Sequence, residues 1–443
     1  MNAEVRQLKT NAELTLADVF ATAKAQLPGS SAVATARGAA FDRFSVSGLP
    51  HRRLESWKYT DLRSLMREAY PLALPPDAVA KQRAKEAGRS FAAVGARRLV
   101  VVDGVFCPDV SDLAGLESGL SVGSMAGALA AGDPLVMSHL SKVGRVDDPA
   151  LALNTALVGD GVVIRVAART KLERPLHLVF AATGDKPVAM YMRSLVVVEQ
   201  GASATLIETY EGPAESRYQV NSALDLVVED EARVELVKTV AEGTAAQHVG
   251  SLVASVGGRA RFDYFSLVCG GALVRGQSFI RLVGEETCVA LRGVSLLSGT
   301  QHADATLIVD HAAGRCESRE LFKSVLDGQS RSVFQGRINV LPRAQKTDAR
   351  MMTRALLLSD EAEADSKPEL EIFADDVQCG HGSTSGALDP GLKFYLMARG
   401  IPAEEAEALL IQAFVGEVID AIGHEAIRTV VADATQSWLA GRG

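Results

Sequence analysis

Cys379 and His381 stand two residues apart inside the stretch Lys367–Gly400, beside an acidic pair, Asp375 and Asp376, and three close glycines, Gly380, Gly382 and Gly386. Thiol and imidazole are soft and borderline donors of the kind that transition metals select. In an extended chain residues i and i+2 point to one face, so this pair could share one ion. Two donors alone leave an open, weak site. Either a second chain completes the coordination, or the pair is a buried thiol beside a surface histidine.

Other chemistry is narrowed by what the residues lack. Gly382-Ser383-Thr384-Ser385-Gly386 has the spacing of a nucleophile elbow, but its centre is Thr and only His424 follows it, which argues against a serine hydrolase. The sequence contains no GxxxxGK[ST] phosphate loop, no HExxH and no GxGxxG between strand and helix. His302, Asp304, Asp310 and His311 read as loop polarity. The five cysteines (Cys107, Cys269, Cys288, Cys316, Cys379) form no CxxC pair. They make neither a disulfide framework nor a zinc knuckle and read as small buried hydrophobes.

A chain of 443 residues exceeds one core and implies two or three domains. A net charge of -8 argues against non-specific nucleic-acid binding, and Arg52-Arg53 and Arg97-Arg98 read as solvated loop charges. Charges interrupt the first twenty residues, so no signal-peptide core is expected, and no apolar run reaches the roughly 18 residues a membrane span needs. A cytoplasmic protein without membrane attachment is the expectation.

The elements that must position the Cys/His pair follow from periodicity. Leu8, Leu14, Leu16, Val19, Phe20, Ala23 and Leu27 recur near helical spacing, and residues 1 to about 66 read as helical. Trp57 and Tyr59, in Glu55–Leu62, read as an aromatic staple pinning a helix to a neighbour. Arg98–Phe106 is a strand pair broken by Asp103-Gly104, and helical patterning returns from Gly115 to about Val143. From Gly161 β-type runs follow almost without interruption. Turn-like centres at Gly201, Glu231, Gly257 and Glu285 lie 30, 26 and 28 residues apart. A near-constant period of strand and turn indicates a stacked solenoid. Small and β-branched inward positions favour a parallel β-helix over a sandwich, with the helical termini as caps against edge pairing. Leu392–Gly400, a helix opening at Pro402 and a last one over Glu425–Leu439 close the chain. The expected organisation is an N-terminal helical domain with a short strand pair (1–150), a β-helix core (151–388) and a C-terminal helical domain (389–443).

Thr347-Asp348-Ala349, Arg354–Asp360, Lys367–Ile372, Asp375–Gly382 and Phe394–Ile401 together closely resemble the SufB/SufD family of iron–sulfur cluster assembly proteins. Glu55–Leu62 and Ala152-Leu153-Asn154 fit the same family. Within it, the DDVxCxHG run and the long helical N-terminus are similar to the SufD branch, although Gly380, Ser383 and Lys393 depart from its usual residues. The resemblance implies a right-handed parallel β-helix with helical terminal domains and a non-enzymatic scaffold role. It implies pairing with SufB through the β-helices and docking of the SufC ATPase on the C-terminal helices, around Phe394, Tyr395, Arg399 and Phe414. Nucleotide would then sit on SufC. It places His381, with Cys379 beside it, at the seam with SufB, where transient iron or an iron–sulfur cluster would be shared. Trp57, Tyr59, Asp375, Asp376 and Gly382 would be structural motif residues. An isolated chain could homodimerise through the surface meant for SufB. The alternatives are a SufB-like chain that nucleates the cluster itself, which needs further thiolates, and a β-helix carbohydrate lyase or hydrolase, which the sparse aromatics and absent signal sequence disfavour.

Overall fold

Strand runs of 8 to 11 residues, rich in Val, Leu and Ile, recur from Val188 with turns of only a few residues between them. Such runs cannot each bury a face alone, and stacking every run on the one a coil earlier solves this. The structure is a computed structural model describing residues 9–142 and 147–441; Leu8 and Val143, part of the helical patterns above, lie outside them.

Two sheets result. In the first, Val162–Val166, Val188–Val198, Tyr218–Val228, Gln247–Val256, Leu273–Leu282, His302–His311, Arg331–Val340 and Glu363–Ile372 lie side by side, all parallel. In the second, Arg97–Val102, Leu176–Ala181, Ser203–Glu211, Arg233–Ala241, Arg261–Val268, Cys288–Leu297, Glu317–Leu326, Asp348–Leu357 and Gln378–Ala387 do the same. The chain alternates between them through a β-solenoid of about eight turns. Alternate residues point inward, so Val234, Phe262 and Val289 from one sheet meet Leu226, Ala254 and Ile280 from the other in one apolar interior.

One corner explains the period. Arg169, Gly201, Glu231, Arg259, Glu286, Arg315 and Lys346 all adopt left-handed φ between 53° and 69°. The N–H of Gly201 donates to Asp230 of the next coil, Glu231 to Gly258, Arg259 to Glu285 and Arg315 to Gln345, at 2.8–2.9 Å. Gly201 and Glu231 are the centres expected from sequence. The next two true corners are Arg259 and Glu286 rather than Gly257 and Glu285. The shift arises because hydrogen bonds to the neighbouring coil, and not glycine, fix the left-handed position. Opposite charges also stack there, as in the 2.6 Å Arg259–Glu231 pair.

The helices flank the solenoid rather than cap it. Asn11–Ala23, Ser31–Ser47 and Pro149–Leu157 lie on the N-terminal side of the first sheet; only part of residues 9–66 is helical, with short turns at Glu55–Trp57 and Leu62–Leu65. A buried clasp fixes this layer. Trp57 donates to Asp148 at 2.8 Å, the Arg275 guanidinium stacks 3.7 Å over the indole, and Asp304 accepts from Arg275 and from Thr60. His302 meets the Thr60 hydroxyl at 2.9 Å. Hence His302 and Asp304 are not loop polarity: with Asp310 and His311 they belong to one strand, and His302, Asp304 and His311 are buried. Leu120–Ser124 is likewise a strand within the stretch expected to be helical, drawn into antiparallel pairing with Val162–Val166; Met125–Ala131 and Pro134–Lys142 follow it as helices.

Pro390–Met397, Ala403–Ile419 and Glu425–Ala440 form the C-terminal helical unit. Ile411, Val415, Val418, Ile427 and Val431 pack on the outer face of the second sheet against Val237, Phe265, Val294 and Val325. The apolar face of this unit therefore covers the solenoid's side and leaves its end bare, although the helical termini were expected as caps.

Candidate functional site: the open last coil

The last coil consists of Glu363–Ile372 in the first sheet and Gln378–Ala387 in the second, and each is the terminal strand of its sheet. Gln378–Ala387 is a regular strand in register with Asp348–Leu357, which places Cys379 beside Ala349 and His381 beside Met351. Ala349 and Met351 are buried in the solenoid interior, so Cys379 and His381 occupy inward-facing rows at its mouth. Cys379 packs partly against that interior, whereas His381 is exposed because no further coil covers it.

Burial pushes the Cys379 thiol above its ordinary range, partly opposed by a backbone hydrogen bond from Ala349. A thiol held protonated is a poor ligand until a metal or cation displaces the proton. Among the described residues no group of three or more His, Cys, Asp or Glu could hold a metal ion. The mouth thus brings together two possible donors, too few for a closed site. Ser383, Thr384 and Ser385 run along the same strand, so the resemblance to an elbow has no turn behind it.

The other expected residues fall elsewhere. Asp376 completes the left-handed corner, its carbonyl accepting from Lys346 N–H at 2.6 Å and its carboxylate pairing with the Lys346 ammonium, while Asp375 is exposed beside it. The flexible end of Met352 lies over Gly382. Trp57 belongs to the N-terminal clasp, and Tyr59 is half-buried with Lys58 5.5 Å from its ring. Phe394, 71% exposed, and Tyr395 face outward, with the Arg399 guanidinium stacked 3.4 Å over Tyr395. Phe414 turns the other way. Its ring lies 4.6 Å from the Lys323 ammonium, which also bonds its carbonyl and Glu417.

Two features escaped sequence reasoning. Lys323, with Arg354, pins Glu417 and so ties the helix Ala403–Ile419 to the two strands preceding the open edge. The signal was Leu321-x-Lys323-x-Val325, an outward row whose apolar neighbours betray a covered face. Glu320 is the second. It lies on the inward row with Met351 and His381, and burial pushes its carboxyl up to about 8 against a weaker opposing contact from Ser318.

Fold and site define a flanked β-solenoid whose final coil offers a thiol, an imidazole and two bare strand edges. Residues 180–414 match the SUF system FeS cluster assembly SufBD core domain, and residues 9–178 match the SufBD protein N-terminal region. The chain belongs to the SufBD family of iron–sulfur cluster assembly proteins. It is 30% identical over 401 residues to a SufBD family protein of Synechocystis, covering 87% of this chain and 86% of the relative. The iron–sulfur cluster assembly protein SufD of Escherichia coli is 29% identical over 391 residues, covering 87% and 88%. SufD of Bacillus subtilis is 28% identical over 299 residues, covering 66% and 68%. No described helix is long and apolar enough to cross a membrane.

Proposed function

We propose that this chain is a SufD-type scaffold of the cytoplasmic SUF machinery. It pairs through its last coil with a SufB-type chain and docks a SufC-type ATPase on its C-terminal helices. The observation that carries this reading is His381, exposed on an unpaired strand edge at the mouth of the solenoid. An imidazole there can bind iron or a nascent cluster only together with donors from a second chain. Cys379 is the weaker neighbour, since burial keeps its proton on. Iron and sulfide are cargo at this seam, and the chain works by positioning them rather than by catalysis.

Leu392, Phe394, Tyr395 and Met397 form an exposed apolar face on the C-terminal unit that suits a docked partner. Phe414 faces the chain's own sheet, and its part is to pass a movement of that unit through Lys323 to the strands behind His381. Co-purification with the SufB- and SufC-type proteins of the same cell, followed by native mass measurement, tests the assembly. His381→Ala is expected to abolish complementation of a strain lacking this chain while leaving the complex intact. Wild-type complementation by that variant would end the ligand role.

A further inference from the structure

The solenoid interior is mostly apolar, and one stretch of it carries charge. Glu208 and Lys238 are register partners on Ser203–Glu211 and Arg233–Ala241, on the inward rows that also hold Leu206 and Leu236. Glu242, just past the second strand, pairs with His248 Nδ1 at 2.8 Å, and His248 Nε2 meets the Ser222 hydroxyl at 3.1 Å. Glu208, Glu242 and His248 are buried. The Lys238 ammonium lies 4.5 Å from the Tyr210 ring and, among the described residues, pairs directly with no carboxylate.

Two small residues leave room for that ammonium. A Cβ on Gly250 would come within 2.7 Å of Lys238 Nζ and 2.9 Å of His248 Nε2. Gly276, the register partner of Gly250, faces open space. Glu208, Tyr210, Lys238, Tyr264 and the two glycines line a cavity of about 10 Å³, room for about one water. A gap too wide for a direct bond between charged groups suits a bridging water.

Charge decides what the cluster must hold. Two carboxylates and one ammonium leave one negative charge unless a proton joins them. Burial pushes His248 down, against the pull of Glu242, and keeps its imidazole neutral. Burial pushes the Glu208 carboxyl up, against weaker opposition from Lys238 and Tyr210. The same cause lowers Lys238, opposed by Glu208 and Glu242. Tyr210, Tyr218 and Tyr264 complete the titratable groups facing the cluster, and burial holds all three phenols protonated. An unmatched charge inside the solenoid is costly, and Glu208 is the group that can cancel it.

We infer that Glu208, Lys238, Glu242 and His248 form a proton-linked switch inside the solenoid. One proton, carried by Glu208 and bridged to Lys238 through a water, keeps the cluster neutral. Its loss as pH rises leaves unbalanced negative charge between the two sheets and loosens Ser203–Glu211 and Arg233–Ala241. The raised Glu208 carboxyl contributes stability that is full below its ordinary value of 4.5 and lost as pH rises through the folded value. His248 acts in the opposite sense, its contribution being full above 6.5 and lost as pH falls. The alkaline arm therefore belongs to Glu208.

The test compares the infrared carbonyl band of protonated carboxylic acid in the full-length chain and in Glu208→Gln, so that the difference reports Glu208 alone. The band is expected at about pH 7 and should vanish as pH rises. Lys238→Met removes the charge that favours the carboxylate and should move that midpoint up by at least about one pH unit. Glu242→Gln leaves Lys238 to Glu208 alone and should move it down, which keeps the coupling testable if Lys238→Met does not fold. Between about pH 6 and 9 the unfolding free energy of the unaltered chain should fall with a slope about one proton steeper than that of Glu208→Gln. Absence of the difference band at about pH 7, or equal slopes, overturns the proton assignment. A midpoint unmoved by either charge variant overturns the coupling.

Discussion

The first coil of the solenoid ends against antiparallel strands. Leu120–Ser124 lies along Val162–Val166, and the hairpin strand Val105–Phe106 closes on Arg97–Val102. Arg97, 2% exposed, donates to the carbonyls of Asp112, Ala114 and Gly115 at 2.8–3.0 Å and ties the following loop down. The last coil has neither device, and its inward rows finish in half-buried and exposed residues such as Leu370, Cys379 and His381. A parallel stack has two ends, and each exposes unpaired backbone unless something covers it. One end of this stack is closed by antiparallel strands and the other is left open. On the scaffold reading, the last coil is the surface left for a second chain.

Five substitutions probe that contrast. Arg97→Ala, at the closed end, strands three carbonyls and leaves the Glu117 carboxylate that Arg97 pairs with at 3.1 Å without its buried partner. Denaturant unfolding should show a loss of about 3–5 kcal/mol. Leu226→Ala, in the fully packed half, should cost about 2–5 kcal/mol, whereas Leu370→Ala at the mouth should cost under about 1.5 kcal/mol until a partner covers it. Equal costs in the free chain would mean that the last coil is as well packed as the first.

Glu320→Met tests the interior beneath the mouth. The folded carboxyl sits at about 8, above its ordinary value of 4.5, so its neutral form is the one the fold accommodates. The associated stability is present below about pH 4.5 and is lost as pH rises through 8. Glu320→Met should therefore stabilise the chain by about 1–3 kcal/mol near pH 8 and change little near pH 4.5, read from denaturation across that range. The smallest effect belongs to the rim. Arg331→Ala should cost below about 1 kcal/mol, vanishing at high salt, because its pairs with Glu363 and Asp365 are solvated.

How much of this was legible beforehand depends on whether a residue's role was set by its own strand or by a neighbour. The solenoid, the Asp103-Gly104 hairpin and the helices after Pro390 were readable because alternation, turn residues and caps are local. So was the location of Cys379 and His381 on a single strand face. The left-handed corners at Arg259 and Glu286 were not, since carbonyls a coil away impose them. His302 and Asp304 looked like loop polarity because the groups that satisfy them, Thr60 and Arg275, come from a distant segment and another strand. Helices assigned to the ends lie on the sides for a similar reason. An amphipathic stripe announces that it will be covered without announcing by what. The Phe414 ring illustrates this, since spacing cannot distinguish a side chain reaching for a partner from one reaching back to Lys323.

The most direct measurement is amide hydrogen exchange along the last coil, in the free chain and in complex with the SufB-type protein. The outward amides of Cys379, His381, Ser383 and Ser385 should exchange rapidly in the free chain and become strongly protected in the complex, while the amide of Gln378, already bonded to Thr347, changes little. Equal exchange at those four outward amides with and without a bound partner would contradict assembly through this edge.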